Sequence, residues 1–143
     1  MDKNALDTSE NELLELARGA ARHAYAPYSD FPVGAAVRTD AGVFFGCNVE
    51  NASFGLTVCA ERVAVWTAIS HGATRVFAMA VSCVKTDAAS GPGANMPCGA
   101  CRQVLSEFMR PESTVIIDGV GKWAVAELMP FPFQLRKNAA PEE

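Results

Sequence analysis

The 143-residue sequence predicts an α/β protein, a three-layer α/β/α sandwich around a mixed five-stranded sheet. Three observations lead there. Two strand-like runs joined by a short Gly-containing turn form an antiparallel hairpin. A nearly continuous apolar run, Val76 to Val84, has the pattern of a central strand covered on both faces. Helix-period segments separate the later strands, which calls for parallel pairing through right-handed crossovers. The length fits one domain, 1–143, able to bury a sizeable core without disulfides.

Taken in order, Ser9 followed by Glu12 has the form of a capping box. Leu13, Leu14, Ala17, Ala20, Ala21 and Ala24 then recur at helical spacing, so a first helix is expected over about 10–25, ended by Pro27. Residues up to about 8, and those from about 136, are expected to be flexible tails. Tyr25 to Pro32 is rich in Pro and aromatic residues and reads as a packed loop sealing the sheet edge. Val33–Thr39 and Val43–Asn48 are the hairpin strands around Asp40-Ala41-Gly42, and a polar loop follows to Ser53.

A second helix is expected from Cys59 to about Ser70, with Thr57 as a possible cap and Gly72 as its stop. Val63, Ala64, Trp66, Thr67 and Ile69 leave it little polar surface, which predicts a buried helix. Lys85–Met96 reads as a mobile surface loop. A third helix opens at Cys98, after Pro97, and stops at Pro111. Thr114–Ile117 and Lys122–Val125 are the last strands, and Ala126–Met129 makes one helical turn before Pro130.

Composition narrows the function. The net charge is −4, and no basic stripe of the kind that tracks phosphate backbones is visible, so a nucleic-acid partner is not expected. Small, weakly charged substrates fit better. No apolar run is long enough to cross a bilayer, so no membrane partner is expected. The first residues lack a secretory pattern, which predicts a cytoplasmic protein. Five cysteines, an odd number, argue against a disulfide framework, and the Cys98-x-x-Cys101 pair points to metal or redox use.

The stretch that carries chemistry is Cys59-Ala60-Glu61-Arg62, read with Pro97-Cys98-Gly99-Ala100-Cys101. A Cys at a helix start has its thiolate favoured by free backbone N–H groups and the positive end of the helix dipole. Cys59, Cys98 and Cys101 are therefore candidate ligands of one Zn²⁺, and three protein ligands leave a fourth position for water, as in catalytic sites. Three thiolates outweigh the dication by one negative charge. Arg62 is placed to offset it by donating to ligand sulfurs. Glu61 is the acid positioned to shuttle protons between that water and a substrate. Zinc deaminases follow this logic, with Pro-Cys-x-x-Cys paired to an x-Glu element; here Cys59 stands in the first-ligand place. Cys47 and Cys83, in strand-like runs, read as inert thiols. His23 and His71 lie near helix C-termini and read as dipole partners.

With these motifs in place the sequence resembles the short-chain cytidine deaminases over roughly 25–133. The resemblance is carried by Tyr28-Ser29-Asp30-Phe31-Pro32-Val33-Gly34-Ala35-Ala36, Gly46-Cys47-Asn48-Val49-Glu50-Asn51-Ala52-Ser53, Cys59-Ala60-Glu61-Arg62, Pro97-Cys98-Gly99-Ala100-Cys101-Arg102-Gln103 and Glu127-Leu128-Met129-Pro130. It implies one zinc per subunit and a homotetramer with sites shared between subunits. It also implies hydrolytic deamination of cytidine and 2′-deoxycytidine with release of ammonia, in pyrimidine salvage. Asn48 and Glu50 match the pair that binds the ribose 3′-hydroxyl, Phe31 the aromatic on the pyrimidine, and the Ala60 N–H the donor to its 2-carbonyl. Arg62 matches the arginine that offsets the thiolates. Phe133 matches the aromatic lent to a neighbouring site, although Phe131 is an extra candidate. Phe54 stands where many members carry Tyr. Two rival readings are a deaminase of a modified cytosine nucleoside such as blasticidin S, against which Asn48 and Glu50 argue, and a non-catalytic zinc module, which needs a fourth ligand.

Overall fold

The computed structural model describes residues 5–85 and 90–137. Five strands, β1 (Val33–Thr39), β2 (Gly42–Cys47), β3 (Val76–Cys83), β4 (Thr114–Ile117) and β5 (Gly121–Ala124), lie in the order β2-β1-β3-β4-β5. The helices are α1 (Thr8–Ala20), α2 (Ala60–Ser70), α3 (Gly99–Phe108) and the single turn α4 (Val125–Leu128). The sheet is mixed as expected: β3 and β4 are parallel, and the other neighbours are antiparallel. Only the crossover through α3 joins paired parallel strands. The one through α2 steps over β1, which is already hydrogen-bonded to β2 on one edge and β3 on the other.

Strand alternation separates two cores. Ala36, Ala78, Ala80 and Ile116 face α1 and meet Leu13, Leu14 and Ala17. Their neighbours Ala35, Val37, Met79, Val81, Val115 and Ile117 point the other way, against Ala64, Val65 and Ala68 of α2 and Leu105 of α3. The Arg18 guanidinium grips Asp118 at 2.8 and 2.7 Å, tying α1 to the turn after β4. The buried Ser82 hydroxyl donates to the same carboxylate at 2.8 Å. Arg18 holds the Asp118 carboxyl below the usual range.

Two glycines set how closely helices approach the sheet. A Cβ on Gly34 would stand 1.9 Å from the Ala17 carbonyl oxygen and 2.4 Å from the Ala21 nitrogen. A Cβ on Gly46 would stand 2.5 Å from the Ala64 nitrogen, in the backbone of α2. Backbone cannot swing aside as a side chain does, so Gly46→Ala must push α2 off β2. We expect a loss of about 3 kcal/mol or more in urea unfolding, above the usual cost of overpacking.

Several boundaries differ from expectation. The capping box is Asp7 with Glu10, not Ser9 with Glu12: Asp7 accepts from the Glu10 N–H at 2.8 Å and the Asp7 N–H donates back at 3.0 Å. Glu10 is preferred because it is buried and also meets Lys122 of β5 at 3.0 Å. The α-helix ends at Ala20, and a 3₁₀ turn continues to His23, short of Pro27. Cys59, not Thr57, caps α2. That helix is not buried all round, for Trp66 is 47% exposed. Its buried residues are the stripe Ala60, Glu61, Ala64, Val65 and Ala68. Within the expected mobile loop, Pro92–Asn95 form a 3₁₀ turn, and 86–89 lie outside the described residues. Of the expected flexible tails, 1–4 and 138–143 also lie outside them.

Candidate metal centre and active site

The centre forms where α2 and α3 begin side by side. Cys59 and Cys98 are the N-cap residues of these helices, both in extended conformation, so each sits at the end of a helix whose first N–H groups have no partner within the helix. Cys101 follows within the first turn of α3, and its N–H donates to Cys98 Sγ at 3.5 Å. The Sγ atoms of Cys59 and Cys98 are 3.8 Å apart, and those of Cys98 and Cys101 are 3.5 Å apart. All three lie within 4.8 Å of one another. Tetrahedral zinc with Zn–S bonds of about 2.3 Å needs sulfurs about 3.8 Å apart. The donor set and its spacing fit zinc.

Charge is arranged to suit a metal. The Cys59 thiol is pulled down to about 5, first by the hydrogen bond from Cys101 and then by Arg62. Cys101 is pushed up, because it supplies the proton of that bond and is buried. Arg62 Nη2 donates to Cys59 Sγ at 3.4 Å, and its guanidinium also lies 5.9 Å from the Trp66 ring centre. Its Nε is buried with no hydrogen-bond partner among the described residues, so attraction to the thiolates is what offsets burying that cation. Arg62→Gln should keep the fold and lower kcat/KM about 10- to 100-fold, the range for groups that support metal ligands, as steady-state kinetics at fixed zinc will show.

Glu61 is 5% exposed, and its Oε2 lies 3.6 Å from Cys101 Sγ. Burial pushes its carboxyl up, the direction that suits a group used as a general acid or base. The first helical bond of α2 is Val63 N–H to the Cys59 carbonyl, so the N–H of Ala60 precedes the ladder.

The other predicted residues come together through three crossing segments. Tyr25 pairs with Val49, and Val49 with Val58, which draws the loop after α1 and the end of β2 against the residue before Cys59. Buried Asn48 accepts from the Val33 N–H at 2.8 Å and donates to the Phe31 carbonyl at 2.8 Å. Glu50 Oε1 accepts from the N–H groups of Tyr28 and Ser29 at 2.9 and 3.1 Å, and the Ser29 hydroxyl first, then these backbone bonds, hold its carboxyl below its ordinary value. Both side chains therefore shape the loop that carries Phe31. Asp30, in the left-handed region at φ 53°, makes the bend before it.

Phe133 and Phe131 are both exposed, at 68% and 94%. Cys47 and Cys83 end β2 and β3 only partly covered, not fully buried as strand-interior thiols would be. Burial still pushes both thiols up, Cys83 to about 12, so both are poor nucleophiles. Among the described residues, the three cysteines are the one His/Cys/Asp/Glu group able to hold a metal, so His23 and His71 stand apart from it. The side-chain roles of Arg102 and Gln103 were missed. Arg102 Nε donates to the Pro97 carbonyl at 2.9 Å and Nη1 to the Leu128 carbonyl at 3.0 Å. The only sequence signal was their place directly after Cys101.

A layered α/β/α fold that sets three thiols and one buried acid at two adjacent helix starts defines the class of zinc-dependent deaminases. The model for the cytidine and deoxycytidylate deaminase zinc-binding region matches residues 7–117, and the chain belongs to that family. It is 46% identical over 132 residues to the cytidine deaminase of Mycobacterium tuberculosis H37Rv, covering 90% of this chain and 92% of that one. It is 39% identical over 127 residues to that of Sporosarcina psychrophila, covering 85% and 89%. The crystal structure of cytidine deaminase from Burkholderia pseudomallei superposes with a TM-score of 0.77 at 45% identity, covering 86% of this chain and 98% of that one. Among the described residues no helix is long and apolar enough to cross a membrane.

Proposed function

We propose that this chain, acting as one domain, hydrolyses cytidine and 2′-deoxycytidine to the corresponding uridines and ammonia, with one zinc per subunit. The observation that carries the reading is the buried Glu61 carboxylate against the three-thiol cluster. The names of its relatives, at up to 46% identity over most of both chains, supply the nucleoside. Zinc held by Cys59, Cys98 and Cys101 supplies Lewis-acid activation of a water. Glu61 takes a proton from that water and gives it to N3 of the base, then takes the proton of the hydroxyl added at C4 and gives it to the departing amine. The Ala60 N–H holds the 2-carbonyl, Phe31 packs on the ring, and Asn48 and Glu50 bind the ribose. Asn48 and Glu50 are suited to this because their bonds to the loop backbone already fix their positions.

The assembly we propose is a homotetramer in which Phe133 reaches a neighbour's site. Trp66, Phe54, Leu56 and Phe133 are exposed large apolar side chains, of the kind that subunit contacts cover. A reducing, cytoplasmic setting suits a chain in which none of the five cysteines forms a disulfide, and pyrimidine salvage suits its substrates. Deamination followed by ultraviolet absorbance, with zinc and molar mass measured on the same sample, tests the whole reading. Turnover of both nucleosides, one zinc per chain and a mass of four chains are expected. A zinc-loaded protein with no turnover would overturn it.

A further inference from the structure

We propose that Gln103 is the positioning residue of the C-terminal arm: its side-chain amide fixes the peptide backbone of Phe133 and so decides where that ring is presented. This rests on the reading above that Phe133 serves a nucleoside site. Gln103 Nε2 donates to the Phe133 carbonyl at 2.9 Å, and its Oε1 accepts from the Phe133 N–H at 3.2 Å. A primary amide offers a donor and an acceptor side by side. It therefore engages both backbone groups of one residue, as a neighbouring strand would, and fixes the direction of that residue's Cβ.

The surroundings show that the arm is held for presentation. Arg102, the preceding residue on α3, holds the Leu128 carbonyl where the arm begins. Pro130 and Pro132 lie between the two tie points and restrict the backbone there. The Phe133 ring is 68% exposed, so its backbone is anchored while its side chain is not. Phe131, at 94%, is more open still, and the amide clasp falls on Phe133. Cys98 caps and Cys101 lies on the helix that carries Gln103, so the clasp ties the arm to the element bearing two of the metal-binding thiols.

No other residue replaces this amide. Asn is one carbon too short. A Glu carboxylate accepts from the N–H but faces the Phe133 carbonyl with a second acceptor. The test is steady-state kinetics with cytidine on the zinc-loaded protein and its variants Gln103→Ala, Gln103→Glu, Phe133→Ala and the Ala/Ala double variant. We expect Gln103→Ala to raise KM about tenfold, the worth of about one and a half kcal/mol of lost hydrogen bonding, with kcat within about twofold and zinc content unchanged. Gln103→Glu should fall nearly as far at neutral pH, although it conserves size. In the Phe133→Ala background, Gln103→Ala should change KM by less than about twofold.

Effects that multiply in the double variant, or a Gln103→Glu enzyme equal to wild type, would overturn the role of Gln103 while leaving that of Phe133 intact. A Phe133→Ala enzyme with unchanged KM would refute the assignment of Phe133 itself, and this proposal with it.

Discussion

Glu61→Gln is expected to lower kcat for cytidine about 10³-fold while zinc content and fold are kept. The amide has the shape of the carboxylate and fits the same buried place at the start of α2. It cannot take a proton from water, and it has no acidic proton to return to the base. Burial already disfavours the carboxylate at this position, so removing its charge should leave the unfolding midpoint unchanged or slightly raised. Kinetics, zinc analysis and thermal melting on one preparation check all three outcomes. A variant with near-wild-type kcat would remove Glu61 from the reaction.

Cys101→Ser is the second large effect. Cys101 is fully buried and is the one thiol that contacts Glu61 as well as Cys98. A serine hydroxyl does not ionise near neutrality, and a neutral oxygen is a poor ligand where zinc prefers thiolate. Most of the zinc and nearly all turnover should be lost. Because a ligand that binds only the folded state stabilises it by mass action, about 4 kcal/mol at a thousandfold excess over Kd, the unfolding midpoint should drop as well. Treating the wild-type protein with a chelator should lower its midpoint towards that of the variant, and should leave the variant's own midpoint almost unmoved. A zinc-replete, active Cys101→Ser protein would show that the thiol is not a ligand.

Much of the fold could be read because its elements are local patterns. The bounds of β4 were legible from a short β-branched run, and the β1–β2 hairpin from its turn. Where two local patterns competed, the sequence was ambiguous. Asp7-x-x-Glu10 and Ser9-x-x-Glu12 both satisfy the capping-box rule, and Lys122 of a distant strand makes Glu10 the buried partner. Trp66 was expected inside because α2 looks apolar all round. The side of α2 that Gly46 lets onto β2 carries Val63 and Ala64, and Trp66 falls outside the helix's buried residues. Asn48 and Glu50 were read through family resemblance as ribose ligands, and their bonds to the 28–33 backbone became visible only in three dimensions.

The sequence by itself determined the chemistry of the centre. Which atoms can bind zinc is a property of residue type, and placing a Cys at a helix start requires only local signals. Cys59 and Cys98 are each the N-cap of a helix, and Cys101 follows one turn later. Tertiary structure decided what those thiols face. The order β2-β1-β3-β4-β5, the seating of α2 on Gly46, the hold of Glu50 on residues 28–29 and the clasp of Gln103 on Phe133 all join groups far apart in the chain. Such contacts depend on which surfaces pack once both cores close, and no short stretch of sequence carries that information.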